Sequence, residues 1–143
     1  MMKIMTGSWF TPAPSTHIKI GISRGVPRGQ SAGFRLFKKL APGDWFRSVD
    51  APEYLRRFND EILGPLDPEQ TAKEILDLAG ERIPVMCCYE SPTKIDRGQD
   101  WCHRHMVAKW FEDRLGIEVE ELGYRRMTRF GALENQGLVV SYK

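Results

Sequence analysis

The chain carries almost no excess charge: 21 basic residues against 19 acidic ones leave a net +2. A broad cationic coat for nucleic acid is therefore excluded, while a local basic patch is not. No apolar run comes near the roughly 18 residues of a membrane span, so no membrane partner is expected. Met1 to Gly7 has no apolar stretch long enough for a signal peptide. Cysteine is scarce and odd in number, three in all with two of them adjacent, which argues against a secreted disulfide framework and for a cytoplasmic protein. There is no C-x-x-C, no C-x5-R, no GxGxxG and no Walker loop. Dithiol redox, a cysteine phosphate loop and a nucleotide cofactor thus have no support, and no cofactor is expected. Internal repeats and low-complexity blocks are also lacking.

What is present suits one folded domain. The 143 residues are 41% hydrophobic and 28% charged, enough to bury a core without staples. Met2–Phe10 reads as a first strand, broken by Pro12 and Pro14. His17–Arg24 alternates apolar with polar or small residues, the period-2 pattern of a second strand. Three glycines and a proline make residues 25–33 a loop. Residues 34–49 read as one or two short helical turns over the core. Asp50 and Asp67 each stand three residues before a polar partner and just before a proline-bearing first turn, so each predicts a helix start. The first helix buries Tyr54, Leu55, Phe58 and Ile62 and stops at Gly64-Pro65. The second buries Ala72, Ile75, Leu76 and Ala79 and stops at Gly80.

Ile83–Tyr89 is nearly all apolar, which predicts a central strand buried on both faces. Residues 90–98 read as a polar loop, and a long helix is expected from about Gln99 to Leu115, ended by Gly116. Ile117–Leu122 is a further candidate strand. Residues 125–143 form a basic C-terminal extension, with Arg125, Arg126 and Arg129 and an added strand at Leu138–Val140. Strands alternating with helices predict an α/β domain over 1–143 with a mainly parallel, Rossmann-like sheet. In such sheets ligands bind beyond the carboxyl ends of the strands.

Two groups of residues fall at that edge. The first is Trp101-Cys102-His103-Arg104-His105, in the opening turns of the long helix. Unpaired backbone N–H groups and the helix dipole there lower a thiol pKa and attract anions. Helical phase turns His103 toward the sheet, places Cys102 and Arg104 at the margins of the buried face, and sends His105 to solvent. Cys88 and Glu90 stand at the end of the central strand, whereas Cys87 belongs to the opposite, apolar side. The second group is Ser23-Arg24-Gly25-Val26-Pro27-Arg28-Gly29, whose Arg24 and Arg28 can grip a carboxylate or phosphate. Zinc on Cys88, Cys102 and His103 or His105 is the weaker reading, because structural sites usually show two close pairs of ligands. No metal is expected.

The same residues, in this order, carry a resemblance. Arg24-x-x-Pro27-Arg28-Gly29, Leu40-Ala41-Pro42-x-x-Trp45-Phe46, Cys88-Tyr89-Glu90 and Cys102-His103-Arg104 resemble the YeaO-like domain of unknown function, family 488, over residues 17–122. The resemblance implies a compact α/β domain with a shared polar cluster of Arg24, Pro27, Cys88, Glu90, Cys102, His103 and Arg104. It names no reaction. An aspartate usual at or one residue before the position preceding the first arginine is replaced here by Ser23 and Ile22, and the link Ser91–Asp100 is longer.

Two functions follow as expectations. In the first, the chain is an enzyme on a small anionic substrate such as a nucleotide, base or phosphorylated metabolite. Arg24, Arg28 and Arg104 bind the anion, Cys88 or Cys102 is the nucleophile, His103 is the base and Glu90 orients it or shuttles a proton. In the second, the chain is a non-catalytic module for nucleic acid or a protein. Its surface includes Arg125, Arg126, Arg129 and exposed aromatics such as Trp9 or Tyr124.

Overall fold

Alternating and continuous apolar runs become four strands in the computed structural model, which describes residues 2–124 and 127–143. β1 (Met5–Ser8), β2 (His17–Gly21), β3 (Arg35–Leu36) and β4 (Ile83–Cys88) form one sheet in the order β1-β4-β2-β3. Every pairing in it is parallel. The α/β class is therefore as expected. The interior position of β4 explains its composition: with neighbours on both edges and cover on both faces, none of its side chains after Ile83 reaches solvent.

The two faces of β4 separate cleanly. Met86 and Cys88 enter the main core with Ile18, Ile20 and Ile22 of the β2 segment, beneath the helices. Val85 and Cys87 enter a smaller cluster with Met5, Trp9 and Leu122. This alternation is the period-2 geometry of a strand. It decides the fate of the two adjacent cysteines.

The helix starts follow their caps. Asp50 accepts from the Glu53 N–H at 3.1 Å and opens α1 (Ala51–Arg57). Asp67 accepts from the Gln70 N–H at 2.8 Å and opens α2 (Pro68–Ala79). α1 runs on as a π-helical turn, Phe58–Leu63, closed by a Gly64 N–H to Asn59 carbonyl bond of 2.8 Å. α3 (Pro92–Asp96) is a single helical segment inside the expected polar loop, begun by the proline after Ser91. α4 (His103–Leu115) ends at Gly116, whose φ of 68° suits a residue without Cβ. α2 and α4 pack side by side over the sheet, and α5 (Gly131–Asn135) packs on α3.

Several boundaries differ from the sequence expectation. β1 and β2 are shorter than read: their residue-by-residue pairing with β4 spans Met5–Ser8 and His17–Gly21, and beyond it only the Trp9 and Ile22 N–H groups still reach β4, at the Cys88 and Cys87 carbonyls. Residues 34–49 hold the two-residue β3 as well as 3₁₀ turns at Lys38–Leu40 and Asp44–Arg47. The long helix begins at His103, not near Gln99, since Cys102 is extended with φ −149° and ψ 143°. Ile117–Leu122 is not a full strand: only Glu121 bridges, to Thr6 in parallel and to Tyr124. Leu138–Val140 adds no strand to the sheet. Arg125 and Arg126 lie outside the described residues. No described helix is long and apolar enough to cross a membrane.

Candidate functional site

The carboxyl ends of β2 and β4 open into a cleft of about 770 Å³. Parallel strands deliver both ends to one edge, and α4 begins there too. The floor holds Cys88, Glu90 and His103, with Ser23 and Arg24 on the β2 side. Aromatic walls rise from Phe46, Tyr54, Tyr89 and Trp101. Tyr54 meets Trp101 edge-on, ring centroids 4.6 Å apart, which stiffens that wall.

His103 is the organising side chain. Its Nε2 lies 2.8 Å from the Ile22 carbonyl oxygen. A carbonyl can only accept, so Nε2 carries the hydrogen and Nδ1 presents its lone pair. Nδ1 lies 3.7 Å from Cys88 Sγ and 3.9 Å from Cys102 Sγ, and Cys88 Sγ is 3.5 Å from Nε2, so the Cys88 sulfur sits alongside the ring, close to both of its nitrogens. Cys102 caps α4, its sulfur accepting from the Arg104 N–H at 3.5 Å. An extended Cys102 followed by a helical His103 lets two neighbouring residues face one point. Sulfur and nitrogen donors of Cys88, Cys102 and His103 all lie within 4.8 Å of one another, so these three could hold a metal ion.

The thiols differ in acidity. Burial pushes Cys88 up, and its contact with Cys102 pushes it further. Burial also acts against the Cys102 thiolate, but the hydrogen bond from Cys88 and the charge of Arg104 outweigh it and hold this thiol well below the usual range. Cys87, on the other face, is pushed up to about 12 by burial. Burial and the nearby Cys102 charge raise Glu90 to about 8. Its Oε2 is buried with no hydrogen-bond partner.

Not every expected residue joins the site. Arg104 is fully buried and turned away from the cleft, its guanidinium held by Glu121 (Nε–Oε1 3.1 Å, Nη2–Oε2 2.9 Å). It acts on the thiols through its charge and backbone N–H. Arg28 is exposed on the loop after β2 and does not line the cleft. His105 is fully buried instead of facing solvent. Helical phase sends His105 to solvent only where one face is wet, but residues 103–108 are all buried, with Glu121 against Arg104 and His105.

The surface imagined for a binding module also changes. Trp9 is fully buried, not exposed, and its indole N–H donates to Ser23 Oγ at 2.9 Å. Arg129 is engaged by Glu112 and by the Val119 carbonyl. Tyr124 shares a 2.7 Å hydrogen bond with Thr93. Conversely, sequence reasoning missed Arg47 as a cleft residue. Its guanidinium lies 5.0 Å from the Phe46 ring centroid, and that of Arg24 lies 5.6 Å from the same ring. The signal was the Trp45-Phe46 pair before it, since an aromatic platform favours a stacked arginine.

Comparison of the sequence with protein-family models and with curated proteins, and of the fold with solved structures, finds no match.

Proposed function

We propose that the chain is an enzyme acting on a small anionic substrate that carries a planar ring. The observation behind this reading is the vertical order of the cleft. Two guanidiniums, Arg24 and Arg47, flank Phe46 at its rim, and Cys88, Glu90 and His103 meet at its floor. Among the described residues neither arginine is paired with a carboxylate. Two such groups on a concave wall suit a phosphate or carboxylate. Aromatic side chains between rim and floor suit a flat ring, which brings a nucleotide or phosphorylated metabolite into range. A thiol, an imidazole with a free lone pair and a protonatable carboxyl are the parts of acid–base or nucleophilic chemistry. The resemblance to the YeaO-like domain, family 488, supports the same cluster, with Arg104 reassigned from ligand binding to support.

Calorimetry with nucleoside monophosphates and their unphosphorylated nucleosides tests the reading. The phosphorylated forms are expected to bind at least about tenfold tighter, the weight of one charge-assisted contact. Arg24→Ala and Arg47→Ala should each remove that advantage. Equal binding of both forms, or unchanged binding by both variants, would overturn the anion site. Steep loss of affinity with salt on an oligonucleotide, without such a preference, would instead favour the nucleic-acid module.

A further inference from the structure

At the cleft floor and buried against it are more thiols than an acid–base dyad needs. One imidazole lies against two buried sulfurs, and a further polar group of the cleft, Glu90 Oε2, has no partner. We propose that Cys88, Cys102 and His103 Nδ1 form a site for a divalent ion of the zinc class, with its fourth position open to the cleft. The proposal deepens the reading of this cleft as an active site but stands on its own geometry.

Three observations carry it. The first is spacing. Metal–sulfur bonds of about 2.3 Å and metal–nitrogen bonds of about 2.0 Å in a tetrahedron place sulfur and nitrogen about 3.6 Å apart. The two sulfur–Nδ1 distances are 3.7 and 3.9 Å, with Cys88 Sγ also 3.5 Å from Nε2, so an ion on Nδ1 is bonded once the Cys88 side chain turns toward it. The second is the support of the histidine. Metal-bound imidazoles commonly donate the other ring N–H to a carboxylate, a backbone carbonyl or a water, which sets the tautomer and aims the lone pair. The Ile22 carbonyl accepts that bond at 2.8 Å. The third is the donor set. Two sulfurs and one nitrogen select zinc-like ions over magnesium or calcium, which want oxygen.

Zinc ligation without two close pairs has a structural basis here. Close pairs such as C-x2-C serve when one turn supplies two ligands. Here a strand end supplies Cys88, and the junction of extended Cys102 with helical His103 supplies two adjacent ligands. Cys87 is excluded by strand alternation and hydrogen-bonds back to the Val85 carbonyl. On binding, both sulfurs ligate as thiolates, and any thiol proton still held leaves to solvent as the metal–sulfur bond forms. His103 gives a lone pair and loses no proton. The fourth position would open on the cleft that Cys88 and His103 line, where Glu90 could share a hydrogen bond with a bound water. That is the arrangement of a catalytic site with three protein ligands, not of a closed structural one.

The test uses reduced full-length chain stripped with a chelator and titrated with Co²⁺. One equivalent is expected to give a sulfur-to-metal charge-transfer band and the visible bands of tetrahedral cobalt, both lost on adding Zn²⁺. Cys102→Ser and His103→Ala should weaken binding at least about a hundredfold, and Cys87→Ser should leave it unchanged. Native mass spectrometry of the unmodified chain guards against variants that fail to fold. It should show one zinc bound per chain. No band at one equivalent, an intact band in Cys102→Ser, or the absence of a zinc adduct would overturn the site. The preference for nucleoside monophosphates is read by calorimetry on the same stripped chain, so failure of the metal site and failure of the anion reading are told apart.

Discussion

Arg104 and Glu121 face each other through two parallel hydrogen bonds of 3.1 and 2.9 Å, with both side chains cut off from solvent. Glu121 also accepts from Thr6 Oγ1 at 2.7 Å, so a residue of the bridged segment, one of β1 and one of α4 share a single carboxylate. This pair locks the start of α4 against the sheet edge. It also holds a positive charge behind the thiols without exposing it to the cleft.

Breaking that pair from one side should be costly. Glu121→Ala leaves a fully buried guanidinium without its partner, for which a loss of about 3–5 kcal/mol is expected. Arg104→Met combined with Glu121→Leu removes both charges and should recover much of that loss. Urea unfolding of the single and double variants checks this. A double variant as unstable as Glu121→Ala would show that the loss has another source.

Gly21 holds β2 close to the indole beneath it. A Cβ added there would meet Trp9 Cζ2 at 2.5 Å and Leu36 Cδ2 at 3.0 Å. Trp9 cannot retreat, being fully buried and hydrogen-bonded to Ser23. Gly21→Ala should therefore cost about 1–3 kcal/mol through overpacking. It should also blue- or red-shift the tryptophan emission relative to the parent. Unchanged stability would mean that the second cluster is softer than its packing implies.

His105 should make the fold sensitive to acid. Burial, then the charge of Arg104, lowers its pKa from 6.5 to about 3. Above 6.5 the ring is neutral whether the chain is folded or not, and nothing is gained or lost. As pH falls from 6.5 toward 3, the unfolded chain takes up a proton that the fold refuses, so stability drops. At pH 4.5 this amounts to about 2–3 kcal/mol. His105→Leu, of similar bulk and without a charge to suppress, should flatten that limb. Urea midpoints at pH 7 and pH 4.5, taken in chelator, give the comparison, and parallel slopes for parent and variant would refute it.

The Asp67 cap offers a local check. Its carboxylate satisfies the Gln70 N–H at the start of α2, so Asp67→Ala should cost about 1 kcal/mol. Asp67→Asn should cost much less, because the amide oxygen can accept the same bond. Equal losses in the two variants would point to the helix dipole as the larger contribution.

Local chemistry determined much of this molecule in advance. Asp50, Asp67, Gly80 and Gly116 mark helix limits through bonds that span four residues or fewer, which a sequence displays directly. The apolar run 83–88 announces an interior strand, and alternation along it sends Cys87 and Cys88 to opposite faces. The meeting of Cys88, Glu90 and His103 follows from parallel strands ending at one edge. Tertiary structure alone decided the rest. His105 and Trp9 are buried because distant segments cover them, and no periodicity reports such cover. Arg104 turns to Glu121, seventeen residues on, because a buried guanidinium must find a carboxylate, and only the folded chain brings one. The pairing of Cys102 with Cys88 depends on one extended residue at a helix start. That backbone choice is made by packing against the sheet edge, and nothing in the run Trp101-Cys102-His103 declares it.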